Sequence, residues 1–157
     1  LLKAPRPDGI DRRAMKKEKL RLLFVCYGNI CRSPMAEGIA RKRLGPSAEV
    51  ASAGIAATGG PASEEAVLVM KLVYNVDISF HVARPVGVYD IRAFDHVVAM
   101  AVSIFNHLKD IWGVPESVLY GWDIEDPLGQ GYDVYKETAH KIERRLGQFL
   151  AAHGLDA

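Results

Sequence analysis

The sequence predicts an α/β protein: three layers, α/β/α, around a four-stranded parallel sheet. Two observations predict it. Short apolar runs alternate along the chain with stretches of helical character, and that alternation builds a parallel sheet with right-handed crossovers and helices on both faces. The run Leu22-Leu23-Phe24-Val25 also lacks the one-in, one-out pattern of a half-solvated strand, so it suits a strand covered on both sides.

In chain order, residues 21–25 form the first strand and residues 34–44 the first helix. Pro34 falls in the first helical turn, where its missing N–H forfeits no hydrogen bond. Gly45-Pro46 ends that helix. Residues 49–53 form the second strand, and residues 54–61, with four glycines or prolines, form a loop. A helix follows over residues 63–75, with Ser63 as its N-cap. Residues 95–100 form the third strand, residues 103–111 a helix, and residues 118–120 a short fourth strand. Residues 121–131 are a loop, and residues 132–153 an amphipathic final helix.

Residues 1–19 stand apart. Pro5, Pro7 and Gly9 interrupt regular structure, and Arg12, Arg13, Lys16, Lys17 and Lys19 form a basic cluster. The expectation is a flexible, solvated N-terminal extension, with residues 20–157 as a single domain. The formal charge of +1 argues against a general nucleic-acid binder, so attraction for an anion must be local. No apolar run reaches the ~20 residues of a membrane span, and the basic start lacks the apolar region of a signal peptide. The expected location is the cytoplasm.

Open parallel sheets bind ligands at the carboxyl ends of their strands, which directs attention to residues 26–33. There Cys26-Tyr27-Gly28-Asn29-Ile30-Cys31-Arg32-Ser33-Pro34 joins the first strand to the first helix. Cys26 and Arg32 flank five residues, Tyr27, Gly28, Asn29, Ile30 and Cys31. A loop of that length can curl until its backbone N–H groups converge on one anion, and the helix adds its own unpaired first-turn donors. Gly28 permits unusual backbone angles, and Asn29 tolerates the left-handed region. Arg32 supplies a planar fork for two phosphate oxygens. Thiols at helix N-termini beside guanidinium groups react as thiolates, which makes Cys26 a candidate nucleophile. Ser33 can donate its hydroxyl to that sulfur. No metal and no organic cofactor is called for.

This segment resembles the phosphate loop of the low-molecular-weight protein tyrosine phosphatases. The likeness extends through Ser52-Ala53-Gly54, His81-Val82-Ala83-Arg84, Asp95-His96-Val97-Val98-Ala99-Met100 and Asp126-Pro127, in that order. It implies the family's flavodoxin-like fold and a two-step hydrolysis. Cys26 is then the nucleophile and Arg32 the phosphate clamp. Asp126 is the general acid, with Asp123 and Glu125 as neighbouring rivals. Asn29, Ser33, Ser52 and His81 brace the loop. Cys31 is a second thiol able to form a disulfide with an oxidised Cys26, although a plain core role fits it as well. The expected partner is a phosphorylated protein or small phosphoester, with inhibition by phosphate, vanadate and other oxyanions.

The departures concern the substrate. Relatives that accept phosphotyrosine carry an aromatic residue after the second strand, where this chain has Ile55-Ala56-Ala57-Thr58-Gly59-Gly60. They also carry tyrosine after the aspartate–proline pair, where Leu128-Gly129 stands. Tyr27 or Tyr132 is left to supply an aromatic wall. Four alternatives stand beside this reading. A thioredoxin-linked arsenate reductase needs two cysteines beyond the loop, and this sequence has two in all, both inside it. A phosphoarginine phosphatase tends to have threonine where Ile30 stands. A phosphocysteine carrier or silent phosphate-binding module has no need of Asp126.

Overall fold

Strand β1 (Leu20–Cys26) is the middle of the molecule. Its side chains Leu22, Leu23, Phe24 and Val25 are wholly buried, and each contributes ~2 kcal/mol by leaving water. The computed structural model describes residues 19–155. The extension expected over residues 1–19 therefore lies, apart from Lys19, outside the described residues, as do the last two residues of the domain.

The other strands are β2 (Ala48–Gly54), β3 (His96–Ala99) and β4 (Leu119–Gly121). They run parallel in the order β2-β1-β3-β4, the flavodoxin-like arrangement. The helices are α1 (Arg32–Leu44), α2 (Glu64–Tyr74), α3 (Val102–Asp110) and α4 (Tyr132–Ala152). Alternate residues of β1 feed two cores, as period-2 geometry requires. Leu22, Phe24 and Cys26 meet Met35 and Ile39 of α1, Met70 of α2, and Tyr135 and Ile142 of α4. Leu23 and Val25 meet Ile104 and Leu108 of α3, together with Val86 and Phe94. Three helices thus cover one face and one covers the other.

The alternation of strands and helices is as the sequence predicts, and the boundaries differ in informative ways. Helix α1 begins at Arg32 rather than Pro34, so Arg32 and Ser33 lie in its first turn. Pro34 remains where an N–H has no intrahelical partner. Ser63 does cap α2, accepting from the Ala66 N–H at 3.4 Å, and Asn75 closes the helix in the left-handed region. Residues 86–88 and 91–93 form single 3-10 turns in a stretch without periodicity in the sequence. Among the described residues no helix is long and apolar enough to cross a membrane.

The chain leaves β1 toward β2 on one side and later returns to β3 on the other. Cys26, at the carboxyl end of β1, therefore sits at the point where strand order reverses, the usual ligand crevice of such sheets.

Candidate active site

The loop after β1 is held by its carbonyls. Cys26 O accepts from the Ile55 N–H at 3.1 Å, Tyr27 O from the Ala56 N–H at 2.9 Å and Ile30 O from the Ser63 N–H at 2.8 Å. The Asn29 carbonyl accepts from His81 Nε2 at 2.6 Å. In a trans peptide the C=O and the following N–H point in opposite directions. Four carbonyls fixed outward therefore turn the N–H groups of Tyr27, Gly28, Ile30 and Cys31 inward. The Asn29 N–H points at Cys26 Sγ, 3.2 Å away. The result is a concave ring of donors at a helix N-terminus, a site built for an anion.

The left-handed residue of this turn is Asn29, with φ at 57°, whereas Gly28 is not among the residues with positive φ. A Cβ at Gly28 would make only an ordinary 3.7 Å contact with Ile30, so the conformational freedom expected of that glycine is not used. The glycine the loop does require is Gly54. A Cβ there would stand 2.6 Å from Tyr27 O and 2.8 Å from Asn29 N, so β2 can pass behind the loop only without a side chain.

Asn29 is fully buried and spends its whole side-chain amide on the loop. Its Nδ2 donates to Ser33 Oγ at 2.7 Å and to Ser52 Oγ at 2.9 Å. Its Oδ1 accepts from the Arg84 N–H at 2.9 Å. Ser33 Oγ in turn lies 2.9 Å from Cys26 Sγ. Asn29, Ser33, Ser52 and His81, drawn from three separate stretches of the chain, thus form one connected network. Sequence reasoning missed two of its members. Glu37 accepts from Ser52 Oγ at 2.6 Å, and the Arg84 backbone orients Asn29. Glu37 and Arg41 stand one helical turn apart and pair at 2.8 Å, and nothing in that spacing points to the loop.

Arg32 is 6% exposed. It donates from Nη1 to Ile124 O at 2.9 Å and approaches Asp126 Oδ2 with Nη2 at 3.6 Å. Its Nε is buried with no hydrogen-bond partner; a buried unpaired donor is costly, and a bound oxyanion is the kind of group that satisfies it. Asp126 also accepts from the Leu128 N–H at 3.1 Å, the turn expected of an aspartate before proline. Among the described residues, Asp126 is the carboxylate paired with the loop arginine.

Cys31 and Cys26 are both free thiols and both buried. Cys31 Sγ faces Tyr135 Oη at 3.2 Å and Ser63 Oγ at 3.6 Å. Burial pushes its thiol above the ordinary cysteine range, against the opposing pull of those hydroxyls. Tyr27 stands at the loop with 59% of its surface exposed. Tyr132, the other aromatic candidate, is partly buried and packs against the core shared by α1, α2 and α4.

A model of the family described as low molecular weight phosphotyrosine protein phosphatase matches residues 21–156. Among curated proteins, the low molecular weight protein-tyrosine-phosphatase Wzb of Salmonella typhi is 33% identical over 141 residues, spanning 84% of this chain and 93% of that one. Arsenate reductase 2 of Staphylococcus saprophyticus is 32% identical over 132 residues, spanning 84% of this chain and 97% of that one. Among solved structures, the low molecular weight protein tyrosine phosphatase of T. tengcongensis is 39% identical with a TM-score of 0.79, covering 85% of this chain and 99% of that one.

Proposed function

The chain belongs to the low molecular weight phosphotyrosine protein phosphatase family, and on that footing we propose that Cys26, Arg32 and Asp126 carry out phosphate monoester hydrolysis through a phosphocysteine. One observation carries the reading: a thiol at the carboxyl end of β1, ringed by inward N–H groups, lies in the same loop as a buried arginine paired with an aspartate.

In the first step Cys26 Sγ attacks phosphorus and the ester oxygen departs. The loop amides and Arg32 hold the equatorial oxygens, whose charge they stabilise. Asp126 gives its proton to the leaving oxygen. In the second step water attacks the phosphocysteine, Asp126 takes a proton from it, and the sulfur leaves as thiolate toward the Ser33 hydroxyl. Phosphate, vanadate and related oxyanions bind the same ring of donors and compete. The substrate is a phosphorylated protein or a small phosphoester, with phosphotyrosine the favoured group and exposed Tyr27 its aromatic wall.

The test is turnover of para-nitrophenyl phosphate with competitive inhibition by vanadate. Cys26→Ser is expected to lower kcat by roughly 10⁴-fold or more, since the covalent step is lost; a variant retaining parent activity would overturn the mechanism. A panel of phosphotyrosine, phosphoserine and phosphoarginine peptides compared by kcat/KM then ranks the substrates. A carrier or silent binder would take up phosphate without catalytic turnover.

Cys31 has a protective role in the same reading. Hydrogen peroxide oxidises the Cys26 thiolate to the sulfenic acid, and the Cys31 thiol displaces water from it to give the disulfide. After peroxide and then dithiothreitol, the parent should regain activity and Cys31→Ser should not. Equal recovery of the two would remove the role. The arsenate reductase reading finds less support, because both cysteines of the sequence lie in the loop and none is left beyond it to shuttle a disulfide.

A further inference from the structure

Hydroxyls can donate or accept, carboxylates only accept, and an amide NH2 only donates. The network beneath the loop therefore has a direction, and its ends decide it. At one end the Arg84 backbone N–H donates to Asn29 Oδ1 at 2.9 Å, which fixes which way the amide faces. At the other end stands Glu37 of α1, its side chain 15% exposed. Glu37 Oε2 pairs with Arg41 Nη2 at 2.8 Å, and Oε1 accepts from Ser52 Oγ at 2.6 Å. Ser52 has one hydroxyl proton, and Glu37 takes it. The Ser52 oxygen is thereby left to accept one Asn29 Nδ2 proton at 2.9 Å. The other Nδ2 proton goes to Ser33 Oγ at 2.7 Å. Ser33 is then an acceptor from Asn29, and its own proton is free for Cys26 Sγ at 2.9 Å; the alternative acceptor, Ala53 O, is farther at 3.4 Å.

We propose that Glu37 is a positioning residue for the nucleophile: through Ser52 it holds the Asn29 amide so that Ser33 donates to the Cys26 sulfur. This rests on the reading of Cys26 as nucleophile. The benefit falls mainly on the second step, when the sulfur departs with its charge. Glu37→Gln keeps the size and reverses one end of the chain. The new oxygen goes to the Arg41 guanidinium, so the new NH2 faces Ser52. The Ser52 oxygen then meets two donors, and its proton loses its acceptor in a buried place, a penalty relieved by shifting Asn29.

The experiment measures kcat, KM and the pre-steady-state burst of para-nitrophenol for the parent, Glu37→Gln, Ser52→Ala, the double variant and Arg41→Ala, with thermal melts alongside. Glu37→Gln is expected to lower kcat about tenfold without raising KM, the size of effect a misdirected buried hydrogen bond produces. Its burst should approach one product per enzyme as phosphocysteine hydrolysis becomes the slow step. The double variant should be no slower than Ser52→Ala alone, and Arg41→Ala should stay within about twofold of the parent. Three results overturn the proposal: parent kinetics in Glu37→Gln, an equal loss in Arg41→Ala, or additive losses in the double variant. Ser52→Ala tests the same link without touching the ion pair, so misfolding of Glu37→Gln leaves the idea exposed to failure. If the parent itself does not turn over the ester, the functional reading falls; if it does and Glu37→Gln matches it, only this inference falls.

Discussion

In residues 26–33 four outward carbonyls, a fully buried asparagine and the start of a helix hold the backbone in place. In residues 121–131 Asp126 is held by one turn contact and one long ion pair, with its side chain 45% exposed. Both loops follow parallel strands at the carboxyl end of the sheet, and they solve different problems. In the proposed hydrolysis the first presents donors to a phosphate whose shape never changes, so rigidity serves it. In the same proposed hydrolysis the second delivers a proton to leaving groups that differ from substrate to substrate, and it need only reach. The two departures at the expected aromatic positions, residues 55–60 and 128–129, fall around the second loop and the loop after β2, outside the rigid ring.

The sharpest way to break this comparison is Asn29→Ala. It removes three hydrogen bonds at once and places an alanine where φ is 57°; the left-handed backbone alone costs an alanine ~1 kcal/mol. We expect kcat/KM to fall roughly 10³-fold for every ester tested, because the oxyanion donors themselves are displaced. Loss confined to poor leaving groups would show that the ring keeps its shape without Asn29.

Asp126→Ala should give a smaller and more selective effect. Phenyl phosphate, whose leaving group needs a proton, should slow about 10²-fold in kcat, and para-nitrophenyl phosphate distinctly less. Equal losses for the two esters, or an unchanged rate for phenyl phosphate, would move the acid to Asp123 or Glu125. The pairing of Arg32 with Asp126 favours the first assignment.

The rigid loop was also the more legible of the two. The cysteine, the arginine and the strand–helix setting could be read in consecutive residues, because a parallel sheet fixes where such a segment lies. The strand and helix order followed from apolar patterning for the same reason. What escaped was whatever depended on distant chain meeting the loop. Gly54 could be quoted as part of a familiar triplet, but its purpose, passing within van der Waals distance of Tyr27 and Asn29, is a tertiary fact. Glu37 carries no signal of its own in the sequence; only the fold, through β2, brings Ser52 against it. Residues 76–94 carry no period, so neither their 3-10 turns nor the grip of Arg84 on Asn29 could be anticipated.

The smallest expected effect probes the rigid loop from beneath, where Cys31 meets Tyr135. Burial raises the Cys31 thiol above its ordinary 9.0 and, with the bond to Cys31, raises the Tyr135 hydroxyl above 10.0. Burial and Glu143 raise Tyr74 likewise. An unfolded chain releases these protons at the ordinary values while the folded protein keeps them. Their contribution is thus complete below about pH 9 and drains away as pH rises further. Thermal melts of the parent should hold a steady midpoint up to that pH and drop between about pH 9 and 11. Tyr135→Phe should cost ~1 kcal/mol at neutral pH, where Cys31 loses a buried partner, yet decline less steeply above about pH 10 because one ionising group is gone. Parallel alkaline slopes for the two proteins would mean that Tyr135 loses its proton as readily in the fold as outside it, and that the contact with Cys31 does not help to hold the floor of the loop.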